Sequence, residues 1–594
     1  MTEVSLLNAL SVSIGGDTEG LLRAAASLRG QGFVEALRFD WNDVALRGWR
    51  ALDAREVEGH EESCSVRTAD GFACCVGPLW YRGAFGREAL QRLIDDANAR
   101  RPRGPGGVAL PGRIDATCLR GSHAIFLQRG DSAWLWNDAP GFVHVFGTDD
   151  GRFHSTSWLA ARAYMGNSEI DEDAAIEYVL LGASHSERTV AAGVQQLPLG
   201  HAVNLPSRRL HRWLPAEAWA CEVPPRSEDE AKEAIAAHLR TVFDEIATAF
   251  RGRTRAALSG GFDSRMIVAG LLDRGERPEL FVYGDASSSD VAIALEVARA
   301  EGLPLSAVDK DALNARLRPP DLDALVASAR FFDGLPNDGV LDPGADRQTR
   351  IAQSADGHIA LNGGGGEIFR NFFHLLDRPF APRNVVRAFY RTFDARCLRR
   401  PRALERYQRR LADSIARSVG GTGADGRLQR QQIERVYPLF RCHYWMGVNN
   451  GVAVRSGWFA TPLVDLELVR LASTLPLSWK NAGALQSRLI EALHPGIARH
   501  RSSYGFRFSE GPDARARRSE WATRIRPVLA RPLINATRRR LQGVGVSANL
   551  LSRYRALLPG EWRLDPALDL QRLPDEAAFS RALSVELLAR GLVE

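Results

Sequence analysis

Two glycine-rich segments carry the side chains that could do chemistry. The first, RAALSGGFDSRMIVAGL at 255–271, sets Ser259, Gly260, Gly261, Asp263 and Ser264 between an apolar run, Ala256 to Leu258, and Met266, Ile267, Val268 and Leu271 at helical spacing. That pattern predicts a strand, a glycine turn and a helix N-terminus. The glycines admit close backbone approach, the serines offer hydroxyls, and the first helical turn presents unsatisfied N–H groups at the positive end of its dipole. A phosphate suits such a junction. The Asp263 carboxylate would repel it unless a cation lies between them, so the reading calls for Mg²⁺. No GxxxxGK[ST] occurs in the chain, which excludes a Walker-type loop.

The second segment, LNGGGGEIFRNFF at 361–373, follows an apolar strand pattern with four consecutive glycines and then Glu367. Packing does not call for four glycines, and they predict close approach to a ligand.

The elements that must position these groups alternate. Strand patterns at 254–258, 280–284, 304–308 and 358–362 are separated by helical stretches such as 290–300. This alternation predicts a parallel sheet with helices on both faces and a ligand beyond the carboxyl ends of its strands. Tyr283, Gly284, Asn362, Gly363 and Gly364 would then face the same nucleotide as Leu258 and Ser259. A helix with Ser227 and Glu230 as its capping box and Ile235, Leu239, Val242, Phe243, Ile246 and Phe250 on one face should feed the first strand. Before it, the prolines of CEVPPR at 221–226 mark a boundary. Residues 1–222 read as an antiparallel, β-rich domain, with partial alternation in FACCVGPLWYRG at 72–83 and HAIFLQRGDSAWLWND at 123–138. Residues 223–594 form the second domain, helical and arginine-rich after about 368.

Bulk properties narrow the class. The chain has 594 residues, 45% hydrophobic and 25% charged, and a net charge of +6, which is small for its length and argues for no nucleic-acid partner. Lysine occurs only at Lys232, Lys310 and Lys480, so a lysine-dependent step has three candidates. The arginines of 387–410 read as a solvated helix face or as a surface for an acidic peptide. The seven cysteines show no CxxC spacing. No signal peptide or membrane-length apolar run is present, so a cytoplasmic protein without a membrane partner is expected.

At Ser259–Ser264 the sequence resembles the asparagine synthetase-like branch of the ATP pyrophosphatases, whose signature is SGGxDS. The resemblance implies an ATP-pyrophosphatase synthetase domain that joins AMP to a carboxylate and lets an amine displace it. The N-terminal half resembles that family's glutaminase domain, of the Ntn type, through WNDAPG at 136–141 and the segment leading to the Pro-x-Gly-His turn at 198–201. The family's nucleophilic cysteine after the initiator Met is Thr2 here, so no release of ammonia from glutamine is expected. The second glycine segment is similar to the family's SGEGSDE: Glu367 takes its last acidic position, while Gly366 and Gly363 replace its aspartate and first glutamate, so the resemblance implies that Glu367 shares Mg²⁺ with Asp263 as its metal ligands. RSGWFATPLVDLELVRLASTLP at 455–476 matches the family through Arg455, Pro462, Leu463, Asp465, Leu475 and Pro476. In RSSYGFRF at 501–508 the family's phosphate-contacting lysine is Ser503, and Arg501 or Arg507 could neutralise pyrophosphate in its place.

NGGGGEIFRNFF, YWMGVNN at 444–450 and SSYGF at 502–506 are together most similar to the macrolactam-forming cyclases of lasso peptide biosynthesis. That resemblance implies ATP and Mg²⁺ as cofactors, a precursor peptide as substrate, and a leader peptidase and leader-binding protein as partners. An asparagine synthetase, a β-lactam-type or sugar-carboxylate ligase, and a non-catalytic ATP-binding module are the alternatives.

Overall fold

The computed structural model describes residues 6–52, 64–98, 112–166, 169–390, 395–400, 402–541 and 545–593. Thr2 lies outside them. The chain is mixed α/β, with antiparallel sheets in its N-terminal part, a parallel sheet later and a helical C-terminus.

Two six-stranded antiparallel sheets make up the N-terminal part. They pack face to face through Phe39 and Phe72, whose rings stack at 4.2 Å, with Phe126 edge-on to Phe39 at 5.8 Å. Helices Thr18–Gly30 and Trp158–Met165 cover the outer face of one sheet and Gly86–Asn98 that of the other. The strand Ala9–Ile14 is buried on both sides: Leu10, Val12 and Ile14 enter the core between the sheets, while Ala9 meets the helices. Along Phe33–Trp41 the faces switch, since Phe33 packs under the helices and Leu37 between the sheets. Four residues apart, they would share a face in a regular strand; a register shift between Glu35 and Leu37 supplies the extra residue.

The parallel sheet has five strands in the order Leu305–Val308, Glu279–Tyr283, Thr254–Ala257, Ile359–Leu361 and Phe459–Ala460. Four match the sequence expectation. The fifth is two residues long and has no period to read. The helix Glu228–Ala249 buries the expected face. Its cap departs from the predicted box: Ser227 Oγ accepts from Glu230 N at 3.1 Å, but the Glu230 carboxylate takes the N–H of Arg226. This helix crosses Phe262–Asp273 so closely that a Cβ on Gly270 would collide with the Phe243 ring.

Aromatic contacts join the two parts. Phe85 lies 4.8 Å from Trp80, 5.1 Å from Phe250 and 5.5 Å from Trp458, and Arg120 pairs with Glu245 at 2.6 Å. At the other end of the molecule the C-terminal helix Glu576–Ala589 returns to pack on Glu172–Leu181, where Arg581 donates to the carbonyls of Val179 and Asn337. Arg406 and Arg410 of the arginine-rich run both pair with Asp173 and Arg409 with Asp425, so these arginines hold structure together; Arg391 lies outside the described residues. No helix among the described residues is long and apolar enough to cross a membrane.

One ion pair gives the fold a pH signature. His238 lies 2.6 Å from Asp465, which caps the helix Leu466–Thr474 through Leu468 N, and Arg120 lies 3.8 Å from the same carboxylate. Burial pulls the imidazole down, but Asp465 overrides it and holds His238 above its ordinary value. A pKa raised on folding stabilises below the unfolded value and loses that contribution as pH rises through the folded one. Wild type should therefore lose stability relative to His238→Gln as pH rises above about 6.5, the ordinary imidazole value, as read from urea melts at several pH values.

Candidate functional site

The loop Ser259–Ser264 leaves the central strand at its carboxyl end, since Leu258 N still donates to Phe281 O at 2.9 Å before the chain turns. The signature serines bond each other: Ser259 N donates to Ser264 Oγ at 3.0 Å, and the two hydroxyls are 2.9 Å apart. The N–H of Gly261 goes to Ser259 Oγ at 3.2 Å and that of Gly260 to Asp290 Oδ1 at 3.0 Å. The loop's donors expected to meet a phosphate are thus held by side chains of the protein.

Asp263 and Glu367 converge on a third residue. Arg370 Nη2 lies 2.7 Å from Asp263 Oδ2 and 3.6 Å from Glu367 Oε1. Gln486 donates to Asp263 Oδ1 at 2.6 Å, and Tyr437 Oη and Gly365 N donate to Glu367 Oε2 at 2.6 and 3.1 Å. Arg370 also donates through Nη1 to Tyr504 Oη at 3.4 Å. Burial pushes the Asp263 carboxyl up, to about 6, against the pull of Arg370, and Glu367 beside it pushes the same way. The Tyr437 phenol is raised well above its usual value, first by burial and then by Cys442 and Glu367.

The glycine quartet is explained by crowding within the protein, and this corrects the expectation that the glycines clear space for a ligand. A Cβ on Gly366 would strike the Asp263 carboxylate, one on Gly365 would strike Val464, one on Gly364 would reach Met446 at 2.9 Å, and one on Gly363 would lie 2.8 Å from the Asp263 carbonyl carbon. Gly365 also has φ +95°, which L residues rarely adopt. Asn362 Oδ1 accepts from Gly364 N at 3.0 Å and so shapes the turn. YWMGVNN lies behind it, with Met446 against Gly364 and Asn450 donating to Thr461 at 2.8 Å.

The segment 501–508 closes over the loop. Ser503 N donates to Gly260 O at 3.0 Å, and a Cβ on Gly260 would reach Ser503 at 2.8 Å. Arg265, fully buried, donates to the carbonyls of Ile497, His500 and Arg501, and burial lowers its guanidinium to about 10. Arg501 and Arg507 face each other across the base of this hairpin, both exposed, with Arg507 paired to Glu510 at 3.1 Å. The guanidinium on the two carboxylates is that of Arg370. Tyr283 turns its hydroxyl to Gln353 and its ring to Lys310 Nζ at 4.1 Å, while Gly284 N bonds Val308 O at 3.1 Å. All three lysines are ion-paired: Lys232 with Glu233, Lys310 with Asp346, and the fully buried Lys480 with Glu434 at 2.5 Å.

Sequence reasoning missed Arg370, Tyr437 and Gln486. Arg370 alone left a signal, three residues after Glu367 on the same helical turn. Among the described residues no group of three or more His, Cys, Asp or Glu could hold a metal ion. Two carboxylates brought to one cation do suit Mg²⁺, which takes one or two protein carboxylates and fills its other positions with water and substrate phosphates.

No family model matches the chain, and no curated protein matches it. Among solved structures it is matched with the glutamine phosphoribosylpyrophosphate amidotransferase from B. subtilis complexed with ADP and GMP, at 11% identity and a TM-score of 0.20. The match covers 50% of this chain and 65% of that one. So loose a superposition carries no inference.

Gly365→Ala should destabilise the protein by about 2–4 kcal/mol, from a left-handed backbone and a clash with Val464. Val464→Ala in the same chain should recover part of the loss, measured as urea midpoints of the single and double variants.

Proposed function

We propose that this chain is an ATP-dependent, AMP-forming amide ligase, and within that class a macrolactam-forming cyclase acting on a precursor peptide. The observation that carries the reading is the convergence of Asp263 and Glu367, from two separate glycine segments, at the carboxyl ends of a parallel sheet. ATP would lie with its triphosphate over Ser259–Ser264, and Asp263 and Glu367 would hold Mg²⁺, whose charge offsets that of the leaving pyrophosphate. Leu258, Tyr283, Gly284 and Asn362–Gly364 line the neighbouring strand ends and would meet the rest of the nucleotide.

The reaction this supports is a carboxylate oxygen of an Asp or Glu side chain attacking the α-phosphorus as pyrophosphate leaves. The peptide's own α-amine then attacks the acyl carbon, AMP leaves, and the amine gives up a proton. A dedicated base is dispensable, because an α-amine of pKa near 8 is about one-tenth neutral at pH 7. Arg370 balances the two carboxylates, and Gln486 and Tyr437 fix their orientation. On this reading the N-terminal half is a glutaminase-like domain of the Ntn type, with two facing antiparallel sheets between helices. It lacks the family's cysteine at position 2. A leader peptidase and a leader-binding protein would deliver the peptide.

The test is to supply labelled ATP, Mg²⁺ and a leader-freed core peptide whose precursor is encoded in a neighbouring reading frame. AMP and pyrophosphate should form together with a peptide lighter by one water. Asp263→Asn and Glu367→Gln should each cut this turnover on the order of 10³-fold with the thermal midpoint retained. Asparagine made from aspartate and ammonia would replace the cyclase with a synthetase. No AMP with any carboxylate would reduce the chain to a binding module.

A further inference from the structure

The segment 511–535, C-terminal to the hairpin over the loop, is built unlike the rest of the surface. Twelve large apolar side chains stand exposed among the described residues, and six of them, Tyr504, Trp521, Ile525, Leu529, Leu533 and Ile534, fall within 31 consecutive positions. Trp521, Ile525, Leu529 and Leu533 recur every fourth residue and are 54%, 45%, 66% and 71% exposed. They span three successive short elements, Ala514–Arg524, Val528–Ala530 and Arg531–Leu541, with Pro527 between the first two, and such a gathering of exposed apolar side chains, unlike a single one, points to an interaction surface. Along the segment itself the charge is mostly positive, while the groove beside it also carries Glu228 and Glu510, paired with Arg488 and Arg507, and the exposed Glu491. Arg515, Arg517, Arg518 and Arg526 are exposed and in no salt bridge among the described residues. The exposed carboxylate there, Asp513, caps its own helix through Ala516 N at 2.7 Å, and Glu520 is turned inward to the N–H of Ala482. The whole chain holds basic and acidic residues at 77 to 71, so this local excess is not a mere reflection of composition.

Two grooves are lined in part by this segment, and each has one wall ring that packs against a neighbour of the two carboxylates. A groove of about 710 Å³ lies between Trp521 and Arg517 on one side and Ser478 and Arg488 on the other, and Phe508 forms part of its wall. The Phe508 ring stacks at 4.5 Å on Phe262, the residue before Asp263. A second groove, of about 250 Å³, runs between Arg526 and Ile534 and Phe372. The Phe372 ring lies 4.3 Å from that of Tyr437, the donor to Glu367.

We infer that this stripe and the groove between Trp521 and Phe508 are the docking surface for the substrate polypeptide, in a segment that interleaves apolar with acidic side chains. The inference deepens the ligase reading and rests on it for the word substrate. The physical argument is complementarity: apolar anchors fill the gaps beside Trp521 and Leu529 while carboxylates meet the unpaired arginines.

The test measures binding alone, by fluorescence anisotropy without ATP. The probe is a fluorescein-labelled peptide repeating Leu-Asp-Ser-Phe-Glu-Gly, compared with its Lys-for-acid counterpart, a leucine- and phenylalanine-free acidic peptide and an oligothymidylate. The full chain should bind the first probe at least about tenfold more tightly than any of the other three. Trp521→Ser with Leu529→Ser, and separately Arg517→Glu with Arg518→Glu, should each weaken it about tenfold or more. Ile525→Ser with Leu533→Ser serves as an independent apolar variant, and thermal midpoints show whether each variant is folded. Equal binding of acidic and basic peptides, tighter binding of the oligonucleotide, no binding, or a variant effect explained by loss of a dimer would each overturn the inference. Binding of the probe by a chain that makes no AMP would keep the surface and remove the ligase reading, whereas AMP formation without probe binding would do the reverse.

Discussion

Two carboxylates held close together in a desolvated place need a cation, and in this protein the cation is Arg370. Burying a charge costs several kcal/mol, and two like charges at one place add to that cost. The guanidinium makes the arrangement tolerable, and Gln486, Tyr437 and the Gly365 N–H occupy acceptor positions it leaves open. The shared arginine is also what turns two glycine turns into one site. Asp263 begins a helix on the central strand and Glu367 follows the adjacent strand, 104 residues later in the sequence. Their side chains meet only because the backbone at Gly366 comes so near that no Cβ could stand there.

Much of the remaining architecture serves that closeness. The sheet is parallel, so both turns emerge at the same edge. Gln486 comes from the helix Ala484–Leu493, which packs on the helix that Asp263 begins. Tyr437 opens a π-helical stretch, Tyr437–Met446, that runs behind the second turn and presents Met446 to Gly364. The same stretch touches the N-terminal half: His443 meets the carbonyl of Gly141 at 3.1 Å, at the end of WNDAPG, and Gln196 at the same distance. Burial drives this imidazole down to about 3, so it remains a neutral spacer at ordinary pH. The N-terminal half is thereby in contact with the helix that orients Glu367.

The sequence displayed the parts of the site that are local and hid those that are not. SGGFDS between a strand and a helix is a contiguous pattern, and both acidic residues could be read from their glycine context. Arg370 was lost among 77 basic residues that are nearly all arginine. Tyr437 reaches the site on a π-helix, whose wider turn breaks the spacing by which a face is ordinarily assigned. Gln486 is a neutral side chain on an unremarkable amphipathic helix. The glycines were legible as a constraint, but sequence alone does not say whether the body they make room for is a ligand or another part of the chain. Near Glu35 one inserted residue moves Leu37 to the opposite face from Phe33, so strict alternation does not describe that strand.

The lysine count sharpens the chemistry of the proposed reaction. Lys232, Lys310 and Lys480 are each committed to a carboxylate, and Lys480 is wholly buried with Glu434. Positive charge for a triphosphate must then come from Mg²⁺, from backbone N–H groups or from arginine. Arginine stays charged through any physiological pH and cannot take a proton from an attacking amine. A site furnished this way can neutralise a leaving group and orient an acid, but its lysines and arginines offer no base. That suits a nucleophile which arrives partly deprotonated, and for such a nucleophile the larger part of the barrier is alignment, worth up to about 7–11 kcal/mol when reacting groups are ideally held. On the proposed reading, buried charge spent on fixing two carboxylates suits a barrier of that kind.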